Sequence, residues 1–307
     1  MNAAVLDAIK RSAAVPSMPQ VVVRFLEVIQ DPDFEYDELV KCMSTDPGTV
    51  SEVLRLANSA LFGVQEKITS LRQALTLLGP QRTRSLVLGR YLVSAMGSKT
   101  VDGFDMGYFW RRSLASAVVS TRFAIQVAPR LRDDVFISAL LADIGIPILA
   151  QAMPERYGRL AKRYAPRGRD FTDEEEREAV GATHAEVSAM VLTYWSLPVL
   201  VTRAVNLQQS MNPGNDGGVG TIARILNSSD RIAKILCDVP DMDRAATVCA
   251  KATAFINVDM SILFDLLGGI EQDIEGLAAI LRIDVIPSNV YALIAAAVRD
   301  RLSAATP

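Results

Sequence analysis

At Ser17–Gln20, Ser70–Gln73, Thr172–Glu175 and Thr183–Glu186 a serine or threonine stands three positions ahead of a glutamate or glutamine. In a capping box the hydroxyl and the carboxyl or amide satisfy amides that a helix start leaves unbonded, so each pair predicts a helix N-terminus. Asp46-Pro47 adds a cap followed by a first-turn proline, and Gly79 and Gly97 fall where helices should stop. Apolar residues recur at helical spacing in Leu71, Leu75, Leu78 and in Val50, Val53, Leu54, Ala57, while strand-type alternation is scarce. The chain is therefore expected to be all-α, its apolar stripes forming core.

Half of the 307 residues are hydrophobic, enough for a large buried core without covalent staples. A net charge of −3 argues against a nucleic-acid coat or a polybasic membrane binder. Cys42, Cys237 and Cys249 form no CxxC pair and fit a reducing compartment as buried thiols. Residues 1–11 place their positive charges after the apolar residues, with no signal-type segment following. The most apolar stretch, Val135 to Ala150, is interrupted by Asp143, Gly145 and Pro147. A cytoplasmic protein with no membrane span is expected.

Short helices fill residues 1–100, longer ones follow from 104, and the turn-rich Pro213–Gly218 segment reads as a flexible break before a helical tail from Val219. In that tail Asp259 is expected to cap one long helix through Leu281, with a last helix after Pro287-Ser288.

One histidine, His184, is present in the whole chain. Hydrolytic metal centres draw several imidazoles and carboxylates onto one ion, so a single imidazole limits that chemistry severely. No Walker A segment, dinucleotide-binding glycine fingerprint or Gly-x-Ser-x-Gly elbow is present, and no cofactor is expected.

The segments Leu54-Arg55-Leu56-Ala57-Asn58-Ser59-Ala60-Leu61-Phe62-Gly63, Ile68 to Leu75, Phe109-Trp110-Arg111-Arg112-Ser113, Leu141-Ala142-Asp143-Ile144-Gly145 and Gly181 to Val187 occur in that order. Together they resemble the HDOD domain, a catalytically silent relative of the HD and HD-GYP phosphohydrolases of bacterial signalling, over roughly residues 10 to 240. The resemblance implies a multi-helix HD-like bundle. Its N-terminal helical part would be 1–100, a core with a degenerate metal site 104–240, and a C-terminal helical extension 241–307.

The same resemblance implies that the hydrolases place histidine where Arg112 stands, His-Asp where Ala142-Asp143 stands, histidine at His184, two histidines at Gln208-Gln209 and aspartate at Asp230. Only Asp143, His184 and Asp230 keep a ligand-capable type, and Arg112 puts a permanent cation where an ion would sit. Arg112 is expected to pair bidentately with Asp143, neutralising a carboxylate within apolar sequence. Taken residue by residue, His184 reads as a partly exposed structural residue in a first helical turn. Asp230 reads as a solvated helix residue or a pocket position. Trp110 and Trp195 read as packing, and Asn58 as a helix stop bonding to backbone.

Arg156, Arg159, Lys162, Arg163, Arg167 and Arg169 form a basic run, with 156, 159 and 163 expected on one helical face as a candidate anion patch. The acidic run Asp173, Glu174, Glu175, Glu176 and Glu178 follows and offers a counter-face.

The function the resemblance implies is a non-enzymatic signalling module contacting a protein partner in trans, or a second copy of itself as a homodimer. The alternatives are a residual metal-dependent phosphohydrolase using Asp143, His184 and Asp230, and a nucleotide sensor using the basic run. Cyclic dinucleotide binding stays open, and nucleic acid is disfavoured.

Overall fold

The computed structural model describes residues 3–31, 33–58, 66–97, 101–214, 216–238 and 242–283, and 293, 294, 296, 297 and 300. Its N-terminal part contains α1 (Ala3–Ser12), α2 (Gln20–Gln30), α3 (Tyr36–Met43), α4 (Pro47–Ala57) and α5 (Leu71–Gly97). The centre contains α6 (Met106–Val127), α7 (Arg132–Leu141), α8 (Gly145–Ala152), α9 (Pro154–Ala161), α10 (Asp173–Val180), α11 (His184–Tyr194), α12 (Val199–Asn206) and α13 (Val219–Cys237). The end contains α14 (Met242–Phe255), α15 (Met260–Leu267) and α16 (Ile270–Leu281). Among the described residues there is no strand.

The bundle is organised around α6, which packs along α13 and α7. Asp105 starts it by accepting a hydrogen bond from the Tyr108 amide at 2.8 Å. Its buried Ser113, Ala115, Ser116, Ala117, Ser120 and Ala124 are small, as are Gly220, Ala223, Ser228, Ser229 and Ala233 of α13. Small side chains let two helix axes approach closely, and helices apolar or small on most sides belong inside. This close approach sets Arg112 of α6 against Asp230 of α13.

The capping expectations divide. Thr172 with Glu175 and Thr183 with Glu186 form complete capping boxes at the starts of α10 and α11. Helix α2 starts instead after Pro19, which makes no side-chain cap bond, so Ser17 lies two positions before the actual N-cap. Gly79 adopts φ 73° and breaks α5, a left-handed backbone that glycine reaches without penalty. Asn58 ends α4 as expected, its amide donating to the Leu54 and Ile68 carbonyls, each at 2.7 Å. Ser59 to Gly63 and residues 284–292 lie outside the described residues, while 293, 294, 296, 297 and 300, within the expected last helix, are helical.

Two tail expectations change. Asp259 caps α15 through the Ser261 amide at 2.8 Å, but Gly268 and Gly269 divide the long helix into α15 and α16. The Pro213–Gly218 loop is pinned: Arg224 Nη1 donates to the Gly214 carbonyl at 3.0 Å, Arg203 pairs with Asp216, and a Cβ on Gly220 would come within 1.8 Å of Gly214 O. It joins α12 to α13 as parts of one core.

That core is continuous from Val5 in α1 to Ile294. Helix α16 folds back over α4, α5 and α6, with Arg122 bonded to Asp273 and to the Gly269 carbonyl. The apolar segment Pro129–Ala152 is long and apolar enough by composition to cross a membrane, yet most of it is buried inside this bundle, with a turn at Ala142–Ile144.

Candidate functional site

Arg112 from mid-α6, Asp143 from the turn between α7 and α8, His184 from the first turn of α11, Gln208 and Gln209 just after α12, and Asp230 from α13 all line one cleft of about 250 Å³. Ala142 contributes its carbonyl oxygen, which accepts from Gln208 Nε2 at 2.9 Å. The positions named by the resemblance therefore converge. Their pairing differs from the one expected.

Arg112 does not pair with Asp143. Its Nε donates to Asp230 Oδ1 at 2.8 Å and its Nη2 to Asp230 Oδ2 at 2.6 Å, a bidentate clamp, while Nη1 reaches Asp170 Oδ1 at 3.2 Å. The physical reason is the position of Tyr164. Its ring lies under the guanidinium, 4.7 Å from Cζ to centroid, and its hydroxyl donates to Asp143 Oδ2 at 3.1 Å, so Tyr164 stands between the arginine and that carboxylate. Burial pushes the Tyr164 hydroxyl pKa well above its usual value, which keeps the group a donor.

Asp143 has a second set of partners. Gln208 Nε2 donates to Oδ1 at 3.1 Å, and His184 Nε2 stands 3.5 Å from the same oxygen. Burial alone would raise this carboxyl, but the His184 and Arg112 charges and the Tyr164 hydrogen bond outweigh it and hold it below the usual carboxylate range.

His184 is buried, with 4 % exposure, rather than partly exposed. Its Nδ1 meets Glu176 Oε2 at 2.7 Å, and its backbone amide donates to both Glu176 oxygens at 3.1 Å. Burial favours neutral imidazole, yet the Glu176 and Asp143 carboxylates outweigh it and raise the His184 pKa well above its ordinary value. The ring lies between two carboxylates, which favour its protonated form. Glu176 is itself fully buried and also accepts from the Tyr157 hydroxyl.

Sequence reasoning did not single out Tyr164, Asp170, Glu176 or Asn227 as site residues. Glu176 sat within a run of acids that reads as solvated, and its one signal was the four-residue spacing to the apolar Val180, which puts both on the inward face of α10. Asn227 of α13 donates to the Gln208 carbonyl at 2.8 Å and so holds the end of α12.

Gly145 explains the close fit of the two site-bearing turns. Its amide donates to Ser188 Oγ at 2.9 Å, and a Cβ there would lie 2.1 Å from the His184 carbonyl oxygen. Backbone cannot yield as a flexible side chain can, so Gly145→Ala is expected to push α8 away from α11. It should destabilise the fold by about 1–3 kcal/mol, read as a lower urea midpoint.

These residues do not fit the divalent metal of the hydrolytic relatives. Both Asp230 oxygens are engaged by Arg112, both Asp143 oxygens accept from neutral donors, and His184 offers a metal no lone pair when it is protonated. The fixed Arg112 guanidinium repels a second cation. No group of three or more His, Cys, Asp or Glu arranged to hold a metal occurs among the described residues.

The basic run does not form one face. Helix α9 ends at Ala161, which leaves Arg163 in the turn beyond Arg156 and Arg159. Arg163 donates to both Glu175 oxygens at 3.0 and 3.1 Å, Arg169 also bonds Glu175, and Lys162 lies 3.7 Å from Asp102. The Arg163 and Arg169 contacts pull the Glu175 carboxyl down to about 2. Arg156, Arg159 and Arg167 remain as exposed cations without a carboxylate partner among the described residues. The acidic counter-face thus takes two of the six charges.

The HDOD domain model matches residues 15–211. The chain belongs to the HDOD domain family. That match stops before α13, the helix that brings Asp230 and Asn227 to the cleft of this HDOD protein. Among curated proteins, an uncharacterized protein of Treponema pallidum (strain Nichols) is 24 % identical over 203 residues, 64 % of this chain and 38 % of that protein, so the chain spans well under half of its relative. Three solved structures share the fold. A candidate phosphohydrolase of Shewanella amazonensis SB2B is 22 % identical, with TM-score 0.66 over 96 % of this chain and 98 % of that one. An HDOD domain protein of unknown function from Geobacter sulfurreducens is 18 % identical, with TM-score 0.66 over 92 % and 98 %. A candidate signal transduction protein of Marinobacter aquaeolei VT8 is 18 % identical, with TM-score 0.63 over 91 % and 64 %.

Proposed function

We propose that this HDOD chain is a non-enzymatic signal-transduction module of the cytoplasm that acts by contacting a signalling protein in trans or a second copy of itself. The observation that carries the reading is the Arg112–Asp230 clamp. It puts a covalently attached cation where a hydrolase would need an exchangeable one, and so removes the Lewis acid that lowers the pKa of bound water. What persists is a well-packed helical body whose outer faces are available for contact. The basic run supports little nucleic-acid binding, since half of its charges are committed to Glu175 or Asp102.

Turnover and partner capture test this reading together. The purified chain, given cyclic dinucleotides with Mn²⁺, should release no more product than its Asp143→Ala variant, and affinity capture on the full chain should retain a stoichiometric signalling protein or a second copy. Turnover that disappears in a folded Asp143→Ala variant would instead establish a residual phosphohydrolase.

A further inference from the structure

A second cavity, of about 170 Å³, lies where α5, α6, α7 and α16 meet, and it is lined by different residues from the cleft. Its floor is apolar: Leu86, Val118 and Leu277 are buried there, with Phe136 partly buried and Ile125 exposed at its rim. Three guanidiniums and two carboxylates stand around that floor, Arg82, Arg122 and Arg132 against Asp133 and Asp273. Asp273 on α16 takes Arg122, whose Nε donates to Oδ2 at 2.6 Å and whose Nη2 also donates to the Gly269 carbonyl at 3.2 Å. Asp133 meets both of the others through one oxygen: Arg82 Nε donates to Oδ1 at 2.9 Å and Arg132 Nε to the same atom at 3.4 Å. The neighbouring Arg84–Asp134 pair, between the same two helices, adds no net charge. One positive charge is left over, and it falls on Arg132, whose Nη nitrogens have no carboxylate partner among the described residues.

We propose that this groove binds a small monocarboxylate with a compact apolar body, its ring or short chain against Leu86, Val118, Phe136 and Leu277 and its carboxylate on the Nη nitrogens of Arg132. Size and charge both select that class. An apolar cavity of about 150 Å³ is enough to hold benzene, so this one has room for a single ring or a short aliphatic chain. A planar guanidinium fork matches a carboxylate in geometry, and one added negative charge balances the three arginines. A phosphate monoester overshoots, because it carries close to two charges at neutral pH, and a cation adds to the excess. A neutral apolar molecule fills the floor but leaves Arg132 unmatched. Burial of the apolar body thus supplies affinity, and the charge supplies selection.

The groove is separate from the cleft, so binding here is independent of the turnover and partner-capture results. Benzoate and hexanoate are titrated into the full chain by calorimetry and ligand-observed NMR, alongside benzyl alcohol, 1-hexanol and phenyl phosphate. At least one carboxylate should bind at one per chain, with its alcohol at least about tenfold weaker. Which carboxylate binds tells a ring from a chain. Arg132→Gln alters a part-exposed side chain, so circular dichroism should show full helicity, and it should bring the carboxylate down to the level of its alcohol. Ile125→Trp narrows the exposed rim and should weaken the carboxylate by at least about tenfold as well. Arg231→Gln, which changes the charge of the cleft instead, should leave binding as it is. The proposal is overturned by no saturable binding of either carboxylate up to about 10 mM, or by alcohols or phenyl phosphate that bind as tightly. It is equally overturned by binding indifferent to both Arg132→Gln and Ile125→Trp, or by binding that is lost in Arg231→Gln.

Discussion

Arg112→Ala is expected to destabilise the protein by about 3–5 kcal/mol, the range seen when one partner of a buried ion pair is removed and the other stays charged. The guanidinium is 5 % exposed and answers two carboxylates at once, Asp230 bidentately and Asp170 through Nη1. Burial already pushes the Asp230 carboxyl up, with Asp143 and Asp170 adding repulsion, and the Arg112 charge is what opposes them. Without it, Asp230 must either take up a proton or admit water between α6 and α13. Urea unfolding at neutral pH should show the loss, and it should shrink as pH falls toward 4 and Asp230 protonates in the variant. The paired change Arg112→Met with Asp230→Leu should recover most of the stability, because removing both charges also removes their desolvation cost.

The second large effect is on pH. His184 has a raised folded-state pKa, so its proton contributes stability that is fully present below the unfolded value near 6.5 and is lost as pH rises through the folded value. Asp143, held low in the folded state, works in the opposite sense: its contribution is present above about 4 and is lost as pH falls through its folded value. Stability should therefore be greatest between about pH 4 and 6.5, and decline above it by up to about 1.4 kcal/mol per pH unit until His184 deprotonates. His184→Gln should flatten the alkaline limb. Since His184 is the sole histidine, every imidazole NMR signal reports on it, and those signals should remain those of imidazolium at pH 7.5. A ring that titrates near 6.5 would contradict the Glu176–His184–Asp143 arrangement.

Most of the helical architecture was legible because caps and apolar spacing are local. Thr172, Thr183 and Asp46 state where helices begin, and the buried Leu75 and Leu78 lie where a helical stripe puts them. The convergence of Arg112, Asp143, His184, Gln208 and Asp230 was legible only through family resemblance, since they come from separate elements. Their partners were not legible. Which carboxylate Arg112 meets depends on the insertion of Tyr164 from the segment after α9, a long-range contact to which neither periodicity nor charge pattern is sensitive. Glu176 shows the same limit from the other side, because a buried glutamate in an acidic run is distinguishable only once its tyrosine, imidazole and amide donors are in place.

We propose that Arg112 has taken the place of the metal. Equilibrium dialysis of the pure chain against Zn²⁺, Mn²⁺ or Fe²⁺, followed by elemental analysis, measures that directly. Far less than one ion per chain is expected at micromolar metal. One ion per chain, retained in the wild type and lost in a folded Asp143→Ala variant, would contradict it.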